Sequence, residues 1–240
     1  MDAAAPPLLL FVVGPPAVGK MSVGQAVAER TGLRLFHNHI SIEIALRYFD
    51  FGTPAFGRIN EEIRRRILGE VAASDLPGLV FTFAWAFDVP EDQALVEEYA
   101  RPFRERGGRV LFVELEAAQA ERLKRNVCAS RLAEKPSKRD IEASQRILLE
   151  HDARYQLNSG GKFDDDPHYL CIDNTLLPLA SAHARAASGT LSFQRCVPLP
   201  PYGLILSFVP WSDRTGTGRR TGTPGERSPA TAPSAWTSSG

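Results

Sequence analysis

The chain is short of several things that would settle its class at once. It has three cysteines, Cys128, Cys171 and Cys196, and no two lie close together. That spacing argues against a disulfide framework and a structural zinc site, and points to a reducing, cytoplasmic setting. It has no net charge, because 28 basic residues balance 28 acidic ones. No global field therefore draws it to nucleic acid or to an anionic membrane. The apolar run at residues 7 to 13 is too short to cross a bilayer. No basic segment precedes that run, and "GPPAVGK" after it is a poor signal-cleavage site. There is no internal repeat.

What is present is a globular composition, 43% hydrophobic and 23% charged over 240 residues, enough for one sizeable core and an appendage. The charge is unevenly spread. Beyond residue 175 there are six arginines, no lysine, and only Asp213 and Glu226 as acids. The final "TGTGRRTGTPGERSPATAPSAWTSSG" is Thr, Gly, Pro and Ser with little to bury, and is expected to be disordered. The expected division is an organised domain over 1–178, an extension over 179–212 and a disordered tail over 213–240. "LLPLASAHARAAS" has room for two or three helical turns, and "LSFQRCVPLPPYGLILSFVPWS" has no clear period. A shifted reading frame near codons 170 to 180 accounts for so abrupt a change; a lineage-specific tail is the alternative.

The first 175 residues alternate. "LLLFVV" (8–13), "RLF" (34–36), "LVFTFA" (79–84), "RVLFVEL" (109–115) and "YLCI" (169–172) are continuous apolar runs, as central parallel strands covered on both faces require. Helices are expected between them. One follows residue 20 and stops at Gly32, and "ISIEIALRYF" is amphipathic. Ile59, Ile63, Ile67 and Val71 make an apolar face. "PED" opens a helix over 90–105, and residues 117–131 form another. "SKRD" at 137–140 has the form of a capping box, with Ile141, Leu148 and Tyr155 on one face beyond it. The fold class that follows is α/β, three-layered, with a five-stranded, mostly parallel central sheet.

Gly14, Gly19 and Lys20 meet the pattern G-x-x-x-x-G-K between a buried strand and a helix start. Glycines let backbone wrap phosphate oxygens, helix-terminal N–H groups point at the anion, and the Lys20 ammonium neutralises charge. The whole loop, Gly14, Pro15, Pro16, Ala17, Val18, Gly19, Lys20, Met21 and Ser22, is therefore the candidate nucleotide-phosphate site. Met21 stands where a hydroxyl would hold magnesium, and a soft thioether is a poor substitute. No protein side chain is thus assigned to the metal.

"GPPAVGKMSVGQAVAERTGLRLFHNH", "FDFGTPAFGRIN", "FVELEA", "KPSKRD" and "CIDNT" together resemble a family of bacterial P-loop proteins described as AAA-family ATPases or shikimate-kinase-like proteins, over roughly residues 8–175. The resemblance implies a P-loop NTPase fold with the loop strand central, ATP with Mg²⁺ as ligands, and an arginine-rich lid. "GKMS" is similar to the G-K-G-T of adenylate-kinase-like enzymes, which implies that the Ser22 hydroxyl meets the α-phosphate. The chain departs from shikimate kinase itself, which has a Gly-Gly-Gly turn after the third strand; here "TFAWAFD" stands instead.

The remaining candidates surround this loop. His37, Asn38 and His39 follow the second strand, where either histidine could take an acceptor proton or simply close a strand end; His37 is taken as the catalytic one. Arg58 could reach an anionic acceptor. Asp88, at the carboxyl end of the third strand, could act as a base, accept a water-mediated magnesium bond, or cap the helix at Pro90. Trp85 and Phe87 wall the acceptor pocket or pack in the core. "RLKRNVCASRLAEKPSKR" (122–139) carries seven basic residues and one acid. It reads as a lid in which Arg122, and above all Arg125 and Arg131, clamp transferred phosphate; a solvated face is the plain alternative. Asp173, Asn174 and Thr175 touch the base or form an Asx turn. Together these readings point to an ATP-dependent phosphotransferase acting on a small polar molecule. A P-loop ATPase and a nucleotide-binding regulator are the alternatives, and neither nucleic acid nor membrane is expected as a partner.

Overall fold

The computed structural model describes residues 6–176 and the backbone of residues 188–191 and 205–207. Five strands form one parallel sheet: β1 (Leu8–Val13), β2 (Arg34–His37), β3 (Gly78–Thr82), β4 (Arg109–Glu116) and β5 (Tyr169–Asp173), in the spatial order β2-β3-β1-β4-β5. The central strand is β1, bonded to β3 on one side and β4 on the other; Phe11 lies level with Phe81 and Phe112. All five apolar runs became strands, each within a residue or two of its expected bounds.

Period-two alternation sorts the strands between two cores. Leu9, Phe11 and Val13 face one side with Phe36, Phe81, Phe83 and Phe112. Leu10 and Val12 face the other with Val80, Leu111, Val113 and Ile172. Helix α1 (Lys20–Thr31) packs on the second face through Val23 and Val27. Helices α3 (Pro54–Ala73) and α4 (Pro90–Glu105) pack on the first, where Phe11 stacks on Phe112 at 4.9 Å and Tyr99 meets Phe81 edge-on at 5.6 Å. Helices thus cover both faces, which gives a three-layer α/β architecture around a five-stranded parallel sheet.

Four local expectations need correction. The buried face of α3 is carried by Phe56, Asn60, Arg64, Leu68 and Val71, while Ile59 is exposed. The apolar stripe read from the sequence is therefore rotated, and it missed Arg64, which is 2% exposed. The expected helix over 117–131 is two helices, α5 (Gln119–Asn126) and α6 (Ala129–Glu134), because Cys128 between them has extended backbone. The capping box at Ser137 is not the start of α7 (Ile141–Arg154): its N-cap is Asp140, whose carboxylate accepts from Ala143 N–H at 3.0 Å. Ser137 lies in the single turn Pro136–Lys138. Helix α2 (His39–Ala45) is shorter than "ISIEIALRYF" and ends before the exposed Tyr48.

A further pair of parallel strands, β6 (Ser188–Leu191) and β7 (Ile205–Ser207), forms a separate ladder. The expected short helix beyond residue 176 and the disordered tail over 213–240 lie outside the described residues.

Candidate active site

The turn after β1 is built by backbone geometry that few residues tolerate. Gly14 has φ +129°, and a Cβ there would sit 2.3 Å from the Leu115 carbonyl oxygen. Gly19, the N-cap of α1, has φ +109°, and its Cβ would meet the Asn174 side chain at 2.8 Å. Ala17 also holds a left-handed backbone, φ 60°, at a cost of about 1 kcal/mol or more. The Lys20 ammonium donates to the carbonyls of Gly14 at 2.5 Å and Pro15 at 2.7 Å, so the lysine curls over its own loop.

Above the loop lies an open cleft of about 870 Å³ of empty space, lined by residues 16–22, by Asn38, His39, Thr82 and Ala84, and by α5–α7 through Arg125, Arg131, Lys135, Lys138, Ser144 and His151 among others. Among the described residues the lining contains no aspartate and no glutamate. Four cations, Lys20, Arg131, Lys135 and Lys138, thus share a partly desolvated space without a carboxylate in the wall. Their acidities record the strain. Burial, then Arg131 and Lys138, bring the Lys135 ammonium down to about 7. Burial, then Arg131, brings Lys138 to about 8. Burial brings the Arg131 guanidinium to about 10, and its Nε has no hydrogen-bond partner. Lys20 falls well below the usual lysine range, through burial first and then Lys135, Arg131 and Arg122. A group of cations held together in this way can accept a multiply charged anion.

The sequence candidates divide on this geometry. The loop residues from Pro16 to Ser22, with Arg125 and Arg131, line the cleft. His39 lines it as well; His37 does not, although it ends β2 two residues earlier. Burial and Lys135 lower His37 to about 4, and its Nδ1 lacks a hydrogen bond. His39 is also driven well below the usual histidine range, by burial, Lys135, Lys138, Arg131 and His37 in that order. Its ring is therefore neutral at ordinary pH. Asn38 is held by Thr82, whose hydroxyl accepts from Asn38 N–H at 3.1 Å.

Asp88 is not at the cleft. It is exposed, and its Oδ1 accepts the Gln156 N–H at 2.9 Å, a bond across loops 68 residues apart in sequence. Trp85 and Phe87 stack on each other at 4.3 Å within an aromatic cluster that includes Phe163, so they belong to packing. Arg58 is exposed on α3. Arg122 is spent on Asp152, at 3.0 and 2.6 Å, and on the Ala117 carbonyl, so it braces α5 against α7. Arg125 donates to the backbone carbonyls of Val18, Asn174 and Thr175. Asp173 forms the Asx turn, accepting Thr175 N–H at 2.8 Å; Asn174 donates to the Val18 carbonyl at 2.5 Å; the Thr175 hydroxyl accepts Ala118 N–H.

Lys135 and Lys138 escaped the sequence reading, which favoured the arginines. A lysine in a basic run gives no local sign of whether it faces solvent or a cleft.

Among the described residues one group of three potential metal ligands occurs, Glu114, Glu116 and Cys171. It lies outside the cleft lining, and Glu114 is already engaged by Asn158, Ser159 N–H and Tyr169. Among the described residues no helix is long and apolar enough to cross a membrane.

No protein-family model and no curated protein sequence matches the chain. Solved structures with a similar fold include a sugar kinase from Janibacter sp., 17% identical with a TM-score of 0.45, covering 75% of this chain and 92% of that one. A gluconokinase from Sinorhizobium meliloti is 16% identical, with a TM-score of 0.44 over 77% of this chain and 91% of that one. The shikimate kinase of Acinetobacter baumannii, in complex with shikimate, is 18% identical, with a TM-score of 0.43 over 76% and 90%. At such identity and overlap these likenesses carry no argument about chemistry, which rests on the side chains of this chain alone.

Proposed function

We propose that the protein is a phosphotransferase that moves the terminal phosphoryl group of ATP to a small polar acceptor. One observation carries the reading: Lys20, Arg131, Lys135 and Lys138 meet over a glycine-built loop in a cleft that no carboxylate lines among the described residues. The loop N–H groups and Lys20 receive the β- and γ-phosphates. The lid cations receive the charge that spreads over the equatorial oxygens as the phosphoryl group transfers. Because they are held together before the ligand arrives, little reorganisation is left for the reaction itself.

Magnesium fits this lining only in part. Met21 is a poor ligand and no carboxylate lines the cleft, so Ser22 and water are left to complete a metal brought in on the nucleotide's own oxygens. Bound there, it would offset phosphate charge. Among the two histidines, His39 is the one at the cleft, and its neutral imidazole has a lone pair free to take a proton. The acceptor hydroxyl gives its proton to His39 while its oxygen bonds to the γ-phosphorus. The bond from that phosphorus to the β–γ bridging oxygen breaks, and ADP leaves with the electron pair.

The test is ADP release measured with and without pools of hydroxylated metabolites, on the wild type and Lys20→Ala. Acceptor-stimulated turnover, lost in Lys20→Ala together with ATP binding, is expected. Turnover that ignores every acceptor marks an ATPase instead. Unchanged ATP affinity in Lys20→Ala overturns the phosphate-loop assignment.

A further inference from the structure

Glu43 stands on α2 one turn beyond His39, and the same carboxylate oxygen serves two neighbours. Its Oε1 lies 3.7 Å from His39 Nδ1, within ion-pair range. It also accepts from the backbone N–H of Ser137 at 3.2 Å and from the Ser137 hydroxyl at 2.5 Å. Ser137 belongs to the turn Pro136–Lys138, the tip of the basic segment, and is 94 residues away in sequence. His39 Nδ1 is buried and has no hydrogen bond. One carboxylate oxygen thus joins the lid tip to the ring that lines the cleft.

We infer that Glu43 is a positioning residue: docking of Ser137 fixes its carboxylate against His39 Nδ1, so that closing the lid also readies His39 as the base. The inference rests on the phosphotransferase reading for its consequence, and on the three side chains for its geometry. A carboxylate facing Nδ1 favours the tautomer with its proton on Nδ1, which leaves the Nε2 lone pair to accept a proton. It also steadies the imidazolium that forms. The charged or titratable groups that shift His39 are His37, Arg131, Lys135 and Lys138, none of them negative, and Glu43 is the carboxylate that the geometry sets against the ring. With the lid undocked, Glu43 is free to swing to solvent, and His39 loses both orientation and countercharge. Water reaching an open cleft then meets a poorer base, which limits wasteful hydrolysis.

Two measurements on the full chain test this. The first is ¹⁵N NMR of the histidine side chains at neutral pH without nucleotide, for the wild type, Glu43→Ala, Ser137→Ala, Ser137→Thr and the double variant Glu43→Ala/Ser137→Ala. His39 is expected as the Nδ1–H tautomer in the wild type and in Ser137→Thr. It should shift toward Nε2–H in Ser137→Ala and fully in Glu43→Ala, with no further change in the double variant. The second is ADP release and binding of the non-hydrolysable analogue AMP-PNP with Mg²⁺. Glu43→Ala should lower kcat about tenfold or more, with AMP-PNP affinity not weakened, since the carboxylate it removes faces Lys135 and Lys138 as well. A carboxylate that only staples the lid would instead weaken AMP-PNP binding and leave the His39 tautomer as it was; that result overturns the inference. So does an Nε2–H ring in the wild type. Failure of the wild type to bind AMP-PNP sinks the phosphotransferase reading, while the nucleotide-free tautomer measurement still judges the linkage of Ser137, Glu43 and His39.

Discussion

Arg125 donates to the backbone carbonyl of Asn174 at 2.8 Å, and the same guanidinium reaches the carbonyl of Val18 at 3.3 Å. The side chain is 5% exposed, and it pins the end of β5 to the phosphate loop. Asn174 repeats the link through its own amide to Val18. The arginine that the sequence offers as a phosphate clamp is therefore engaged with main chain.

This separates two arginines of one basic run. Arg125→Ala takes a donor from the carbonyls of Val18, Asn174 and Thr175; Val18 keeps the Asn174 amide, and the partner lost at the buried Asn174 carbonyl is worth about 1–3 kcal/mol. A clear fall in Tm is expected, with ATP affinity falling as the loop loosens. Arg131→Ala removes a cation from among cations and leaves its stability equal or higher, while turnover falls more than ATP binding. Thermal denaturation beside ATP titration checks both. Equal stability loss in the two variants would contradict the division.

Nucleotide binding should take up protons. Lys135 at about 7 and Lys138 at about 8 titrate well below their unfolded value near 10.5. Between these limits the unfolded chain holds more protons than the folded one, so the stability of the free protein rises with pH across that window. Phosphate oxygens at the cleft favour the charged ammoniums and raise both values. Calorimetric titration of ATP at pH 8, in two buffers of different ionisation enthalpy, should register uptake of a substantial fraction of a proton. Uptake should shrink in Lys135→Met. No uptake would mean that these lysines stay clear of the phosphates.

The buried Glu114 is structural. Its carboxylate accepts from Asn158 Nδ2 at 2.8 Å, Ser159 N–H at 2.7 Å and the Tyr169 hydroxyl at 2.6 Å. Burial and this carboxylate raise the Tyr169 hydroxyl well above the usual tyrosine range, so the phenol remains a donor. Glu114→Ala strands three donors, and a loss of about 3–5 kcal/mol in denaturant unfolding is expected. Glu114→Gln, which keeps a carbonyl acceptor, should lose less. A loss below about 1 kcal/mol in Glu114→Ala would show that water replaces the carboxylate freely.

The sequence by itself determined those features that depend on near neighbours in the chain. Continuous apolar runs such as "LLLFVV" demanded burial on both faces, and β1 is the central strand. Gly14 and Gly19 marked a turn that other residues cannot make, and Pro90 opened α4 where a missing N–H costs nothing. Tertiary structure alone decided which polar side chains meet. His37 and His39 are equivalent in local pattern, yet only His39 lines the cleft, because α2 begins there and turns its ring inward over the loop. Asp140 took the capping role read for Ser137, since Ser137 had a partner 94 residues away on α2. Arg64 is one of three successive arginines in "RRR", and only the packing of α3 against α2 and β3 buries it between Ser41 and the Phe83 ring. Backbone preference and burial are properties of a short stretch of chain. The direction of a charged side chain is set by what folds against it, and that partner is written elsewhere in the sequence.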